Sequence, residues 1–228
     1  MNRIVLFYKL CWKFLQRYFL EYFVEYIKPF LLFCLSLVFI PLCKLSPIFA
    51  IFAFLITIPV CCYTVWKMYL INYAIIPASY IFLKKGASIS FKDIVKSIDQ
   101  KSLISFLLFS FFLSLGVGFV FLLLYLAMQN NIIMFFIALI AIWVFLLPFC
   151  CLYLQAFYFK KEKENYFDII KKCYTKVDME CILIIISYAI LGIITNIIPI
   201  ISILISVFVL PITFISILTF WYYSRLDK

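Results

Sequence analysis

The chain has 228 residues, of which 68% are hydrophobic, 21% aromatic and only 13% charged, against roughly 25% charged in soluble domains. It carries a formal charge of +10 and no histidine, so zinc or iron hydrolysis of the usual His-and-carboxylate kind has few ligands to draw on. The positive charge does not read as nucleic-acid binding, because Lys and Arg flank apolar runs, where they anchor helix ends and face anionic lipid headgroups.

In chain order, the N-terminal segment sets Lys9, Lys13, Arg17, Glu21, Glu25 and Lys28 along one stripe. It has no small-residue cleavage site, so it reads as a surface helix and not as a cleaved leader. Six uncharged spans follow: Pro29–Cys43, Pro47–Trp66, Leu103–Met128, Ile132–Phe159, Cys181–Ile198 and Pro199–Trp221. A helix needs roughly 20 apolar residues to cross a bilayer core, so the expected fold is an all-α polytopic membrane bundle: six transmembrane helices in three hairpins. Of the 20 Lys and Arg residues, only Lys44 falls among the connections on one side. Positive charge is retained in the cytoplasm, which places both termini there.

Met68–Leu83 is also uncharged. As a seventh crossing it would put the basic stretch from Lys84 to Lys101 outside, against the charge asymmetry. Tyr69, Asn72, Tyr73, Tyr80 and a break at Pro77 suit an interfacial or protruding extension better.

The chain repeats itself. Ser90-Phe91-Lys92-Asp93-Ile94-Val95-Lys96 aligns with Asn165-Tyr166-Phe167-Asp168-Ile169-Ile170-Lys171. Both read as short helices with Ser90 and Asn165 as N-caps and an aspartate near the positive end of the helix dipole. Phe91, Ile94, Val95 and Ile98 have helical spacing, matched by Tyr166, Ile169, Ile170 and Cys173. Each helix is therefore amphipathic and expected to lie flat on the cytoplasmic membrane face, apolar side inward. Ile58-Pro59-Val60-Cys61-Cys62 is echoed by Leu147-Pro148-Phe149-Cys150-Cys151. One integral membrane domain over residues 1–228 results, in three approximate repeats, 1–83, 84–159 and 160–228.

A surface helix of this serine-phenylalanine-aspartate type, leading from a basic loop into an apolar hairpin, occurs at Ser90–Ser97 and Asn165–Lys172. It resembles the six-span membrane domain attached to some bacterial glycerophosphodiester phosphodiesterases and the related YciC-type inner-membrane proteins. The resemblance implies a bacterial cytoplasmic-membrane protein with no known catalytic site. The phosphodiesterase's soluble catalytic domain has no counterpart here, so its activity does not carry over.

The spans contain no Asp, Glu, Lys or Arg, and proton relays and ion paths normally need an intramembrane ionisable group. Cys61, Cys62, Cys150 and Cys151 are poor metal ligands, because adjacent helical residues point about 100° apart. Pro59, Pro148 and Pro211 are expected helix kinks whose freed carbonyls are satisfied locally, with Thr57 and Thr213 in reach. Ser110, Ser114 and Gly118 form a small-residue stripe expected to pack helices closely. No cofactor and no enzymatic activity are expected. The expected functional surface is basic, formed by Lys84, Lys85, Lys92, Lys96, Lys160, Lys161, Lys171 and Lys172. It would engage anionic membrane lipids or other membrane proteins. The competing reading is a passive carrier or channel for a lipid or small apolar solute.

The topology is tested by a compartment-specific reporter fused after Lys228. The reporter active only in the cytoplasm should report, and the one active only outside should stay silent.

Overall fold

A computed structural model describes residues 2–38, 41, 47–86, 89–128, 133, 137, 151–160, 164–195 and 205–226. The fold is all-α, with no strand among the described residues. Its helices are α1 (Asn2–Leu37), α2 (Pro47–Lys85), α3 (Phe91–Ser97), α4 (Gln100–Met128), α5 (Tyr166–Thr175), α6 (Met179–Thr195) and α7 (Leu210–Tyr223). A π-helical turn, Ile205–Val209, leads into α7, and residues 151–158 are helical. Among the described residues, two stretches are long and apolar enough to cross a membrane, Phe54–Lys85 and Ile205–Tyr223.

The chain divides into two compact units, Met1–Ile98 with Leu183–Lys228, and Asp99–Ile182. The first unit is thus discontinuous in sequence, with the second inserted between its two parts.

In the first unit, α1 is one helix of 36 residues, about 54 Å long. It joins the expected surface helix to the expected first span. Pro29 forfeits one backbone hydrogen bond, yet the helix runs through it. Phe7, Cys11, Phe14, Tyr18, Tyr22 and Tyr26 recur every three or four residues and are all buried. They form a seam on the helix. Phe14 meets Phe82 of α2 and Phe220 of α7, with ring centroids 5.8 and 6.1 Å away. Phe208, in the π-helical turn, lies 5.5 Å from Tyr26 and 4.9 Å from Phe23.

Helix α2 has 39 residues and continues through both Pro59 and Pro77. Met68–Leu83 is therefore not broken at Pro77. Leu70, Ile71, Tyr73, Ala74, Ile75, Ile76 and Ala78 are buried in the core of this unit, and that packing holds the helix together past the proline. The other end of α2 is its opposite, with Ile51, Phe54, Leu55, Ile56 and Ile58 all exposed.

Helix α3 begins at Phe91, as the capping pattern predicts. Its apolar face is covered by protein, not left for lipid. Phe91 is 0% exposed and lies 5.9 Å from the Tyr22 ring and 6.4 Å from the Tyr18 ring.

In the second unit, α5 begins at Tyr166 and buries Ile169 and Cys173. The Tyr166 ring rests on Phe109 and Phe106 of α4, at 4.9 and 5.8 Å. Phe106 also stacks on Phe157 at 4.2 Å. The second surface helix thus turns its apolar side to protein too, although Phe167 remains 74% exposed. Of the expected fourth span, Ile133, Ile137 and residues 151–159 are described. Pro148 and Cys150 lie outside the described residues.

Phe91→Ala should lower stability by about 3–5 kcal/mol, the cost of emptying a buried aromatic site. Lys92→Ala, one residue away and exposed, should change it by under about 0.5 kcal/mol. Thermal unfolding of the purified protein in detergent measures both.

Candidate functional site

The basic surface is assembled from the two ends of α3 and its neighbours in the first unit, and around α5 in the second. Lys84, Lys85, Lys92 and Lys96 are exposed. Lys84 lies 4.9 Å over the Tyr80 ring, a cation–π contact that holds its stem along α2. Lys92 and Lys96 are four apart on α3, so they share one face, opposite the buried Phe91 and Ile94.

What fixes α3 there is α1. The Glu21 carboxylate accepts a 2.6 Å hydrogen bond from the Phe91 N–H. Its other oxygen accepts one from Arg17 at 2.8 Å. The Tyr18 hydroxyl donates to the Ile89 carbonyl at 3.2 Å, and the Tyr22 hydroxyl donates to Asn72 Oδ1 at 3.0 Å. Burial pushes both phenols up from their ordinary pKa, so they remain neutral donors. Ser90 is the N-cap residue as expected, but its side chain makes no capping hydrogen bond. Glu21 supplies the negative charge that the helix N-terminus favours.

In the second unit, Asp168 accepts a hydrogen bond from the Asn165 N–H at 3.0 Å, so this helix caps itself. Lys171 is exposed. Lys172 pairs with Glu164 at 2.5 Å, and Lys160 sits 4.7 Å over the Phe157 ring. Lys161 lies outside the described residues. The expected basic cluster therefore divides by chemistry. Lys172 is neutralised by its partner, while Lys85, Lys92, Lys96 and Lys171 form no ion pair among the described residues.

The remaining expected residues behave differently. Pro59 sits inside continuous α2. Thr57 is buried and its hydroxyl has no hydrogen-bond partner among the described residues, so it does not relieve the carbonyl freed by Pro59. Pro211 is the second residue of α7, directly after the π-helical turn, within the continuous helical stretch Ile205–Tyr223. Thr213 bonds back to Val209 and Leu210 carbonyls at 2.8 and 3.1 Å. The Ser110 hydroxyl bonds to its own helix at the Phe106 carbonyl, 3.0 Å away. Gly118 is exposed, and a Cβ there would meet nothing within 4 Å. Ser114 is helical, with its side chain outside the described set.

Two aspartates went unrecognised in the sequence. Asp99 accepts hydrogen bonds from the Ser102 hydroxyl at 2.5 Å and the Lys101 N–H at 3.1 Å. The Ser102 hydrogen bond, above all, holds its carboxyl below the usual range. Its stabilising effect is thus complete above the ordinary carboxylate pKa and disappears as pH falls through the lowered one. Asp178 accepts from the Cys181 N–H at 2.9 Å. These are N-caps of α4 and α6, and the signal was present: an aspartate immediately before each apolar run.

Glu21→Ala should release the first turn of α3 at a cost of about 1 kcal/mol. Hydrogen exchange at the Phe91 amide should accelerate, while the Asn165 amide, capped within its own unit, should not change. No protein-family model, curated protein or solved structure matches the chain, so its function has to follow from these side chains alone.

Proposed function

We propose that this is a non-enzymatic multi-pass protein of a bacterial cytoplasmic membrane. It crosses six times with both termini inside, and its exposed lysines engage anionic lipid headgroups or partner membrane proteins. The carrying observation is the apolar surface that the uncharged stretches leave uncovered. Large apolar side chains are exposed at Phe54 and Leu55 of α2, Phe111, Phe112 and Leu115 of α4, and Ile186 and Ile190 of α6. Water-soluble monomers rarely expose contiguous apolar surface beyond a few hundred Å². A helical backbone that satisfies its own hydrogen bonds is compatible with hydrocarbon. Lys85, Lys92, Lys96 and Lys171 then face headgroups, each contributing about 1 kcal/mol near an anionic surface.

The alternative is a passive carrier or channel for a lipid or small apolar solute. It is favoured by one observation, an open groove of about 380 Å³ lined by Ile185, Tyr188, Ala189, Leu210, Pro211 and Phe214 beside the π-helical turn. Apolar-tracer flux through liposomes containing the purified protein separates the two readings.

Lys92→Gln, Lys96→Gln and Lys171→Gln combined should leave insertion intact but reduce copurifying anionic lipid or a copurifying partner. Lys172→Gln alone, removing a cation already paired with Glu164, should leave the profile unchanged. Lipid mass spectrometry and affinity purification from native membrane give the two readouts. An unchanged profile in the triple variant would reduce these lysines to topology signals.

A further inference from the structure

The first half of α1 carries a feature that the basic surface does not explain. An open groove of about 470 Å³ lies along it, lined by Val5, Leu6, Tyr8, Lys9, Trp12 and Lys13 among others. Its lining comes from α1 alone and is apolar or aromatic apart from Lys9 and Lys13. Trp12 is 63% exposed, a large apolar ring left uncovered by the protein. Lys9 and Lys13 are exposed, four residues apart on one helix face, and neither has an ion-pair partner among the described residues. Arg17, the next cation on the stripe, differs because it is occupied by Glu21.

The flank of this groove is fixed by hydrogen bonds. The Tyr8 and Ser187 hydroxyls lie 2.7 Å apart, and the Cys11 thiol lies 3.2 Å from the Ser216 hydroxyl. Leu183 and Ile186, on the same helix as Ser187, are exposed and apolar. The groove therefore lies beside apolar helix surface, and Trp and Tyr favour the interfacial level of a bilayer. A lysine stem runs along apolar surface and lifts its ammonium toward water.

We propose that this groove holds a single anionic phospholipid, with its phosphate between the Lys9 and Lys13 ammonium groups and an acyl chain along Leu6, Val5 and Trp12. The inference rests on the membrane reading given above and extends it to a discrete site. An apolar surface alone would take any acyl chain. Two unpaired cations at its rim select an anionic headgroup over a zwitterionic one, whose own ammonium they repel. Phosphate oxygens accept charge-assisted hydrogen bonds from both lysines, and the preference for anionic lipid should be on the order of tenfold.

Trp12 is the reporter. The protein is reconstituted into phosphatidylcholine vesicles containing phosphatidylglycerol brominated near the top of one acyl chain. In the matched vesicles only the phosphatidylcholine is brominated, at the same mole fraction. The Trp12 signal is the difference between the native chain and Trp12→Phe. It should be quenched preferentially by the brominated phosphatidylglycerol. Lys9→Gln with Lys13→Gln should insert normally and lose that preference, while Lys92→Gln with Lys96→Gln should keep it. Equal quenching by the two lipids in the native protein, or a preference that survives loss of both Lys9 and Lys13, would overturn the site. A groove that fails this test while the α3 and α5 lysines still enrich anionic lipid refutes the discrete site and leaves the wider reading intact. A groove that passes while those lysines do nothing has the opposite meaning.

Discussion

The aromatic seam of α1 is what the first unit is built on. A single helix face, from Phe7 to Tyr26, is buried. Phe82 of α2, Phe91 of α3, and Phe220 of α7 all pack against it. Aromatic pairs in tilted or edge-on contact add about 0.5–1.5 kcal/mol beyond their buried area, and here several share the same rings. Because Phe14, Tyr18 and Tyr22 each touch more than one element, none of α2, α3 and α7 can shift without disturbing another's contact. The position of the α3 lysines is thus inherited from α1. Glu21 closes the arrangement by joining the Arg17 side chain to the first amide of α3.

The acidic residues are spent on this kind of task. Glu21, Asp99, Asp168 and Asp178 each bind a backbone N–H at the start of a helix. They answer helix dipoles. Glu21 also pairs with Arg17, and Glu164 with Lys172.

Much of this was legible beforehand, and the parts that were not have physical reasons. Capping residues and helical spacing located the starts of α3 and α5 at Phe91 and Tyr166, since those signals are local. The role of Met68–Leu83 was not readable, because an uncharged apolar run looks the same whether lipid or protein covers it; the fold buries it. The charged stripe of α1 was visible; the seam at Phe14, Tyr18 and Tyr22 lies one residue after Lys13, Arg17 and Glu21, about 100° round the helix on the neighbouring face. Glu21 could not have been paired with Phe91 from sequence, as 70 residues separate them.

The contact between Cys11 and Ser216 spans 205 residues of chain. Synthesis proceeds at about 5–20 residues per second, so on the order of 10–40 s elapse between the emergence of the seam and that of the last helix to cover it. Until then α2 is the seam's earliest available cover, since its Phe82 and Asn72 reach Phe14 and Tyr22 directly. The order of elements along the chain thus shelters part of the aromatic face early. It leaves the strip facing Phe220 open until α7 has been made, so that strip is covered later than the rest.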